Sequence, residues 1–358
     1  MRSALAMARR GLGSCWPNPS VGCVVVKDGR VVGRAVTAPG GRPHAEPQAL
    51  AMAGEAARGA TAYVTLEPCS HHGHTAPCAD AMIAACVARV VIATLDPDPR
   101  VNGAGVARMR EAGIIVDVGT LEAEAREICA GFATRIMQGR PLVTLKLAST
   151  LDGRIATRSG ESQWITAEPA RKAAHALRGQ NDAVMVGVGT VLADDPELTC
   201  RIDGFKPVPM VRVVADSHVR TPLMSKLVSG AATTPTWLLT CNGADPARRQ
   251  AMEGAGVTLI TVERSEMGVD LEGALQALAQ RGITRLLVEG GASLASALLR
   301  DDLVDRLVWF HAPGVMGADG WPAAQAYGVS KLGDMKRFTP HDRRAVGDDL
   351  MSEYRRAA

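Results

Sequence analysis

The sequence predicts two α/β domains in tandem, and three observations carry that prediction. Short apolar strands alternate with helical segments along the chain, the pattern of layered α/β units. The length, 358 residues, exceeds what one compact core ordinarily fills. A polar break, Gln138-Gly139-Arg140-Pro141, separates the two alternations and predicts domains over 1–138 and 141–358.

Residues 2–11 read as a short amphipathic helix stopped by Gly11 and Gly13. Asn18-Pro19-Ser20 is a turn leading into a strand pair, Val21–Lys27 and Val31–Val36, joined by Asp28-Gly29, a strong hairpin signal. His44 opens a helix to about Gly54, Thr61–Leu66 is a strand, and Glu67-Pro68 breaks it. Pro77 begins a helix with Cys78 in its first turn, since a proline there loses no helical hydrogen bond. Strands Arg89–Ala93 and Ile114–Val118 flank a Gly-rich loop and a helix near Ala104–Glu111, and Leu121–Met137 is a closing helix. The second alternation starts with strand Pro141–Ala148 and helix Glu168–Leu177. Strands Ala183–Val188, Val211–Ala215, Trp237–Cys241, Val257–Thr261, Arg285–Glu289 and, last, Asp305–His311 complete a mostly parallel sheet.

Hydrophobic residues make up 47% and aromatics 3%, so the cores must be built from Val, Leu, Ile, Ala and Met. A net charge of +3, with no Lys/Arg run interleaved with aromatics, gives no nucleic-acid groove. The eight cysteines, at 15, 23, 69, 78, 86, 129, 200 and 241, are too sparse for a disulfide scaffold. Cys15, Cys23, Cys86, Cys129, Cys200 and Cys241 read as core or incidental thiols in a reducing compartment. The first ten residues lack a secretory pattern and no segment is apolar enough to span a bilayer, so the expected location is the cytoplasm, with no membrane partner.

The most informative stretch runs from His44 to Cys78. It holds His44-Ala45-Glu46 and, further on, Pro68-Cys69-Ser70-His71-His72-Gly73-His74-Thr75-Ala76-Pro77-Cys78. One imidazole and two thiols suit one Zn²⁺, and three protein ligands leave the fourth tetrahedral position for water. Glu46 is better placed to move protons for that water than to ligate. His-x-Glu followed by Pro-Cys is the pattern of a zinc deaminase, although here eight residues, not two, separate the cysteines. The competing reading is a closed structural zinc with His71, His72 or His74 as fourth ligand; structural sites usually repeat close Cys pairs, which this chain lacks. Asn18 either hydrogen-bonds a substrate or makes an Asx turn.

Four motifs mark the second half: Lys146–Ala156, Gly160–Thr166, Gly187–Arg201 and Leu287-Val288-Glu289-Gly290-Gly291-Ala292-Ser293-Leu294. The last runs a buried strand through two glycines into a helix, which suits phosphate held on free N–H groups; plain chain reversal is the alternative. It is not the Gly-x-Gly-x-x-Gly fingerprint of a Rossmann fold.

Together the two halves resemble the bifunctional riboflavin-biosynthesis deaminase/reductase family. The deaminase half is recognised in the His44–Cys78 pattern. The reductase half is recognised in Lys146-Leu147-Ala148-Ser149-x-Leu151-Asp152-Gly153, Gly160-Glu161-Ser162-x-Trp164-Ile165-Thr166, the Leu192–Arg201 run and Glu289-Gly290-Gly291. The resemblance implies a cytidine-deaminase-like three-layer α/β domain followed by a dihydrofolate-reductase-like α/β domain. It implies zinc on His44, Cys69 and Cys78, with Glu46 as the catalytic proton carrier. It places NADPH against Ala148, Trp164, Thr190, Asp194, Ser217 and Gly291, Ala292, Ser293, Leu294, Ala295, Ser296 and Ala297. Substrate falls to Ser162, Arg178, Leu198, Arg201 and Glu289, the two arginines making sense as clamps on a sugar phosphate. Lys146 and Asp194 are candidates for the acid of the reductive step. The implied substrate is a small phosphorylated diaminopyrimidinone, and family members are often homo-oligomers. Two departures stand out: His74, where the family commonly has Lys or Arg, and Pro47 directly after Glu46. The rival classes are a nucleic-acid-editing deaminase, a non-catalytic zinc module, and a chain with only one active half.

Overall fold

The computed structural model describes all residues except 72–75, 100, 206–207, 267 and 358. The chain divides into two compact units, Met1–Arg140 with Arg281–Thr284, and Pro141–Gln280 with Arg285–Ala358.

In the first unit the elements are α1 (Arg2–Gly11), β1 (Gly22–Lys27), β2 (Arg30–Val36), α2 (Ala45–Ala53), β3 (Thr61–Val64), α3 (Cys78–Ala84), β4 (Arg89–Ile92), α4 (Ala104–Glu111), β5 (Ile115–Val118) and α5 (Glu122–Gln138). The sheet order is β2-β1-β3-β4-β5, with the hairpin antiparallel and β3, β4 and β5 parallel. Alternation along the strands fills both faces. Cys23 and Val25 of β1, with Val64 and Ile92, pack against Ala49 and Leu50 of α2, Met82 of α3 and Met109 of α4. On the other face Leu5 and Ala8 of α1 meet Ala125 and Ile128 of α5. The result is the three-layer α/β domain the sequence predicts. Each fully buried Val, Leu or Ile contributes roughly 1.5–3 kcal/mol, so so few aromatics suffice.

The second unit runs β6 (Leu142–Thr150), β7 (Arg154–Ala156), α6 (Glu168–Gly179), β8 (Ala183–Gly187), α7 (Val188–Asp194), β9 (Val211–Ala215), α8 (Lys226–Ser229), β10 (Thr236–Cys241), α9 (Pro246–Gly254), β11 (Thr258–Val262), a small hairpin β12–β13 (264–265 and 268–269), α10 (Leu271–Gln280), β14 (Arg285–Glu289), α11 (Ala292–Arg300), β15 (Arg306–Ala312), β16 (Trp321–Pro322), β17 (Phe338–Val346) and β18 (Asp349–Arg356). Nine strands form one sheet in the order β11-β10-β9-β8-β14-β6-β15-β18-β17. It is parallel from β11 to β15 and antiparallel at β18 and β17.

The C-terminal hairpin corrects the expectation that Asp305–His311 is the last strand. Strand β17, Phe-Thr-Pro-His-Asp-Arg-Arg-Ala-Val, is exposed over most of its length. Charges and a proline are what an edge strand tolerates, and they erase the apolar signal of a strand. No helix among the described residues is long and apolar enough to cross a membrane.

Candidate functional site

Two helix starts build the centre of the first unit. His44 is the N-cap of α2, and Glu46 lies in that helix's first turn. Pro47 follows at the third helical position, where a missing N–H costs nothing because first-turn N–H groups have no helical partner. Gln48 donates from Nε2 to the Val36 carbonyl at 3.0 Å and so pins α2 to β2. On the other side Cys78 opens α3. Its N–H donates to Cys69 Sγ at 3.4 Å, and Ala79 N–H donates to the Cys69 carbonyl at 3.1 Å. Cys69 therefore takes the place of a capping side chain at α3, where the helix dipole favours a thiolate.

His44 Nδ1 is 3.3 Å from Cys78 Sγ and 3.8 Å from Cys69 Sγ, and the three ligand atoms lie within 4.8 Å of one another. Bonds of about 2.0–2.3 Å to a tetrahedral zinc require ligand spacings of this size. The Cys78 hydrogen bond and, against burial, His44 bring Cys69 down to about 4. The same hydrogen bond and burial push Cys78 up. Glu46 is 3% exposed, and its Oε2 has no hydrogen-bond partner. Burial lifts that carboxyl to about 7, although His44 and a backbone hydrogen bond oppose the rise. A buried carboxylate oxygen left unpaired costs free energy unless it serves a ligand. The donor set and the orphaned oxygen both fit a catalytic zinc with water beside Glu46.

Among the described residues, only His44, Cys69 and Cys78 form such a cluster. His71 is exposed, while His72 and His74 lie outside the described residues. Asn18 donates from Nδ2 to the Gly41 carbonyl at 2.8 Å, three residues before His44. None of the eight cysteines is half of a disulfide; Cys15, Cys23, Cys129 and Cys241 are buried, Cys200 is half-buried and Cys86 is exposed.

In the second unit the structure brings together Lys146, Arg178 and Glu289. Lys146 and Glu289 are register partners on β6 and β14, and Arg178 reaches them from α6. Arg178 donates from Nε and Nη2 to the two Glu289 oxygens at 2.5 and 3.0 Å, and from Nη1 to the Thr199 carbonyl at 3.0 Å. Lys146 Nζ is 3.8 Å from Glu289 Oε2. Burial opposes the Glu289 charge, but Arg178 and Lys146 outweigh it and hold the carboxyl below its ordinary value. Burial, with Arg178 adding to it, depresses Lys146 although Glu289 resists. Three of Arg178's five N–H groups are thus committed, so its fork is turned toward Glu289 and two donors remain for a ligand.

Ser162 and Trp164 line a cleft of about 470 Å³ with Thr150, Gly314 and Met316. Trp164 is 67% exposed, with the Arg171 guanidinium 4.6 Å from its ring centre. Ala148 is half-buried beside Phe310, its register partner on β15.

At the Gly-Gly turn, Gly290 and Gly291 have φ of 78° and 80°, a region closed to most side chains. Thr190 Oγ1 stands 3.4 Å from where a Gly291 Cβ would be, so these two expected NADPH positions are neighbours. The Ala295 N–H already donates to the Gly291 carbonyl, which leaves the free N–H groups of α11 at Ala292, Ser293 and Leu294. The side chains of Leu294, Ala295, Ser296 and Ala297 are buried, and Ser293 Oγ bonds Gln325 at 3.0 Å. Asp194 is exposed at the end of α7, and Ser217 is half-buried after β9.

The expected substrate positions divide. Leu198 is 3% exposed and packs in the core at φ 52°, so its backbone is all it offers a ligand. Arg201 is exposed and bonds Glu197, while its N–H donates to His175 Nδ1 at 3.2 Å.

Asp152 is a residue that sequence reasoning passed over within its own motif. Its carboxylate accepts from Thr150 Oγ1 at 2.6 Å and from the Met316 and Gly317 N–H groups at 3.1 and 2.6 Å, tying two walls of the cleft. The Asp-Gly turn was its visible signal. Its partners 164 residues away were not.

Comparisons with known proteins find relatives for both units. Residues 1–94 match the cytidine and deoxycytidylate deaminase zinc-binding region, and residues 141–351 match the RibD C-terminal domain. The chain is 42% identical to the riboflavin biosynthesis protein RibD of Aquifex aeolicus over 356 residues, 99% of this chain and 97% of that one. It is 42% identical to that of Escherichia coli over 361 residues, 98% and 96% of the two chains. Among solved structures, an Acinetobacter baumannii RibD superposes with a TM-score of 0.89 at 37% identity, covering 100% of this chain and 98% of that one. A diaminohydroxyphosphoribosylaminopyrimidine deaminase/5-amino-6-(5-phosphoribosylamino)uracil reductase of Thermotoga maritima gives 0.87 at 36%, covering 100% and 97%.

Proposed function

The chain belongs to the RibD family of riboflavin-biosynthesis proteins, which couple a zinc deaminase to an NADPH-dependent reductase, and from that premise we propose which of its residues carry each step. The first step is hydrolytic loss of the 2-amino group from a diaminopyrimidinone bearing ribosylamine 5-phosphate. The second reduces the ribosyl group to ribityl. Residues 1–138 carry the first and 141–358 the second.

His44, Cys69 and Cys78 hold the zinc, which when bound supplies a Lewis acid that brings water's pKa from about 15.7 to around 7. Glu46 takes the proton of the attacking water and passes it to a ring nitrogen; it then takes the proton of the hydroxyl formed on the ring carbon and gives it to the departing amine, which leaves as ammonia as the carbonyl forms. Work of this kind contributes roughly 10²–10⁴-fold to a rate. The single observation that carries the assignment is the unpartnered Glu46 oxygen buried beside three converging ligand atoms. Asn18, bonded to the carbonyl three residues before His44, orients the pyrimidine.

In the second unit NADPH, when bound, supplies a hydride to C1 of the opened sugar. Ala148, Trp164, Thr190, Asp194, Ser217 and the start of α11 receive the cofactor, with Gly291 allowing close approach of its phosphates. Lys146 gives the matching proton to the nitrogen on C1, so that the C=N bond of the opened sugar becomes a single bond, and Glu289 holds Lys146 and Arg178 in place. Ser162, Arg201 and the free donors of Arg178 grip the phosphorylated substrate, with the Leu198 backbone beside them. The protein works in the cytoplasm as a homo-oligomer on this small phosphorylated pyrimidine, which sedimentation and fractionation test.

The test supplies the diaminopyrimidinone ribosylamine phosphate and follows ammonia release and NADPH oxidation separately. Both signals are expected, NADPH loss following ammonia. Ammonia without NADPH loss would overturn the reductase assignment, and neither signal from zinc-loaded protein would overturn the whole.

A further inference from the structure

The two cysteines of the metal centre are separated by eight residues instead of the two of the general deaminase pattern. A two-residue spacer fixes its own thiols through one tight turn, whereas a longer segment fixes its ends far less. Two direct bonds, from Cys78 N–H to Cys69 Sγ and from Ala79 N–H to the Cys69 carbonyl, join the ends, and α4 is the element that touches the chain beside both cysteines.

Two residues before Cys69, the Glu67 carboxylate is 3% exposed and caps α4 from a distance. Its oxygens accept from the N–H groups of Gly103 at 2.8 Å, Gly105 at 3.0 Å and Val106 at 3.2 Å, and from Asp96 N–H at 3.2 Å. The N-cap residue of α4, Gly103, has no side chain to do this. The helix is pressed against the same peptide: a Cβ on Gly105 would lie 2.2 Å from the Pro68 carbonyl oxygen. One turn further along, Arg108 reaches the other side of the centre. Its Nε is 2.6 Å from Asp80 Oδ1, two residues after Cys78, and its Nη1 donates at 3.1 Å to the carbonyl of Ser70, which follows Cys69.

We propose that α4 is the brace that sets the distance between Cys69 and Cys78, and that Glu67 and Arg108 are positioning residues of the metal centre. The proposal rests on the reading of His44, Cys69 and Cys78 as the zinc site. Neither residue touches the metal or the reacting atoms. Glu67 anchors the approach to Cys69, and Arg108 ties the Cys69 and Cys78 ends to one rigid helix. Partners of this outer kind typically govern metal affinity by 10–100-fold.

The test uses the full-length zinc-loaded chain and measures the rate at which a chelator takes the metal, together with the visible spectrum of the cobalt-substituted protein. Arg108→Met and Glu67→Gln are each expected to release zinc roughly 10–100-fold faster and to shift the cobalt bands. Arg110→Met, on the same helix but bonded to the Val116 carbonyl, is expected to match wild type in both. Arg108 is partly exposed, so its variant folds and decides the matter even if Glu67→Gln does not. Wild-type release by Arg108→Met, or equal acceleration by Arg110→Met, would overturn the brace. A wild-type chain that takes up no stoichiometric zinc would overturn the centre itself, and the brace with it.

Discussion

The metal centre of the first unit draws all its ligands from positions 44 to 78 and mounts them on two helix starts. The polar cluster of the second unit is gathered from β6, α6 and the end of β14, so Lys146, Arg178 and Glu289 meet only through the sheet. The first keeps a buried carboxylate oxygen unpartnered. The second satisfies its buried carboxylate twice over, with Arg178 on both oxygens and Lys146 beside one. One centre holds its acid in readiness for a ligand; the other has closed on itself, and its carboxylate works by holding cations.

The largest effect should come from breaking the readiness of the first. Glu46→Gln keeps the shape and removes the proton carrier, so ammonia release should fall roughly 10²–10⁴-fold with one zinc per chain retained. NADPH oxidation on the already deaminated substrate should remain at the wild-type rate. Chelating the zinc should give the same split. Loss of both signals in either experiment would show that the two centres are not separable in the way their construction implies.

Glu289→Gln tests the second centre in the opposite sense, as a stability experiment before it is a catalytic one. Arg178 would keep its charge at 15% side-chain exposure with no carboxylate to meet it, and Lys146, at 19%, would lose the one charge that resists its depression. Removing one partner of a buried ion pair costs about 3–5 kcal/mol. Urea unfolding should report a loss near the lower figure, since the amide keeps one acceptor. No comparable loss is expected for Glu46→Gln, whose Oε2 has no bond to lose.

The same contrast explains what could be read from the chain beforehand. His44, Glu46, Cys69 and Cys78 were legible because zinc chemistry constrains residue type and a helix start constrains spacing, both local properties. Strands β1 to β6 were legible because they are apolar. Lys146 and Glu289 stood in motifs at strand ends and Arg178 in none, and only the resemblance to a known family gave the three their roles. Their mutual contact, with the Arg178 fork turned inward, needed the strand register. Leu198 shows the limit of motif reading: its place in a polar run near a strand end concealed a buried side chain. The β17–β18 hairpin was missed because a charged edge strand carries no apolar alternation, and the partners of Glu67 because its capping bonds span up to 39 residues.

Acid offers a gentler form of the Glu289 break. The folded value of that carboxyl lies below its ordinary one, so the unfolded chain takes up protons first as the pH falls. The stabilisation is therefore fully present above about pH 4.3, the ordinary glutamate value, and is lost as pH drops through the lower folded value. Lys146 is also depressed, so the unfolded chain again holds more protons, and stability should rise with pH up to about 10.4. Urea midpoints measured against pH should show both limbs in wild type. Glu289→Gln should flatten the acid limb and Lys146→Met the alkaline one. An unchanged acid limb in Glu289→Gln would mean that another carboxylate controls it.

The smallest effect sharpens the comparison at the cleft of the second unit. Arg171 lies 4.6 Å from the ring centre of Trp164, which is mostly exposed at the cleft. A cation–π contact at an exposed site is worth about 0.5–1 kcal/mol. Arg171→Ala should therefore raise the KM for NADPH about two- to five-fold and leave kcat unchanged, because the ring loses a support and no reacting atom loses a partner. A fall in kcat would place Arg171 in the chemistry. An unaltered KM would detach Trp164 from the cofactor. The expected result would show the cofactor held by several weak contacts at the cleft rim, where the first centre concentrates its chemistry on one carboxylate.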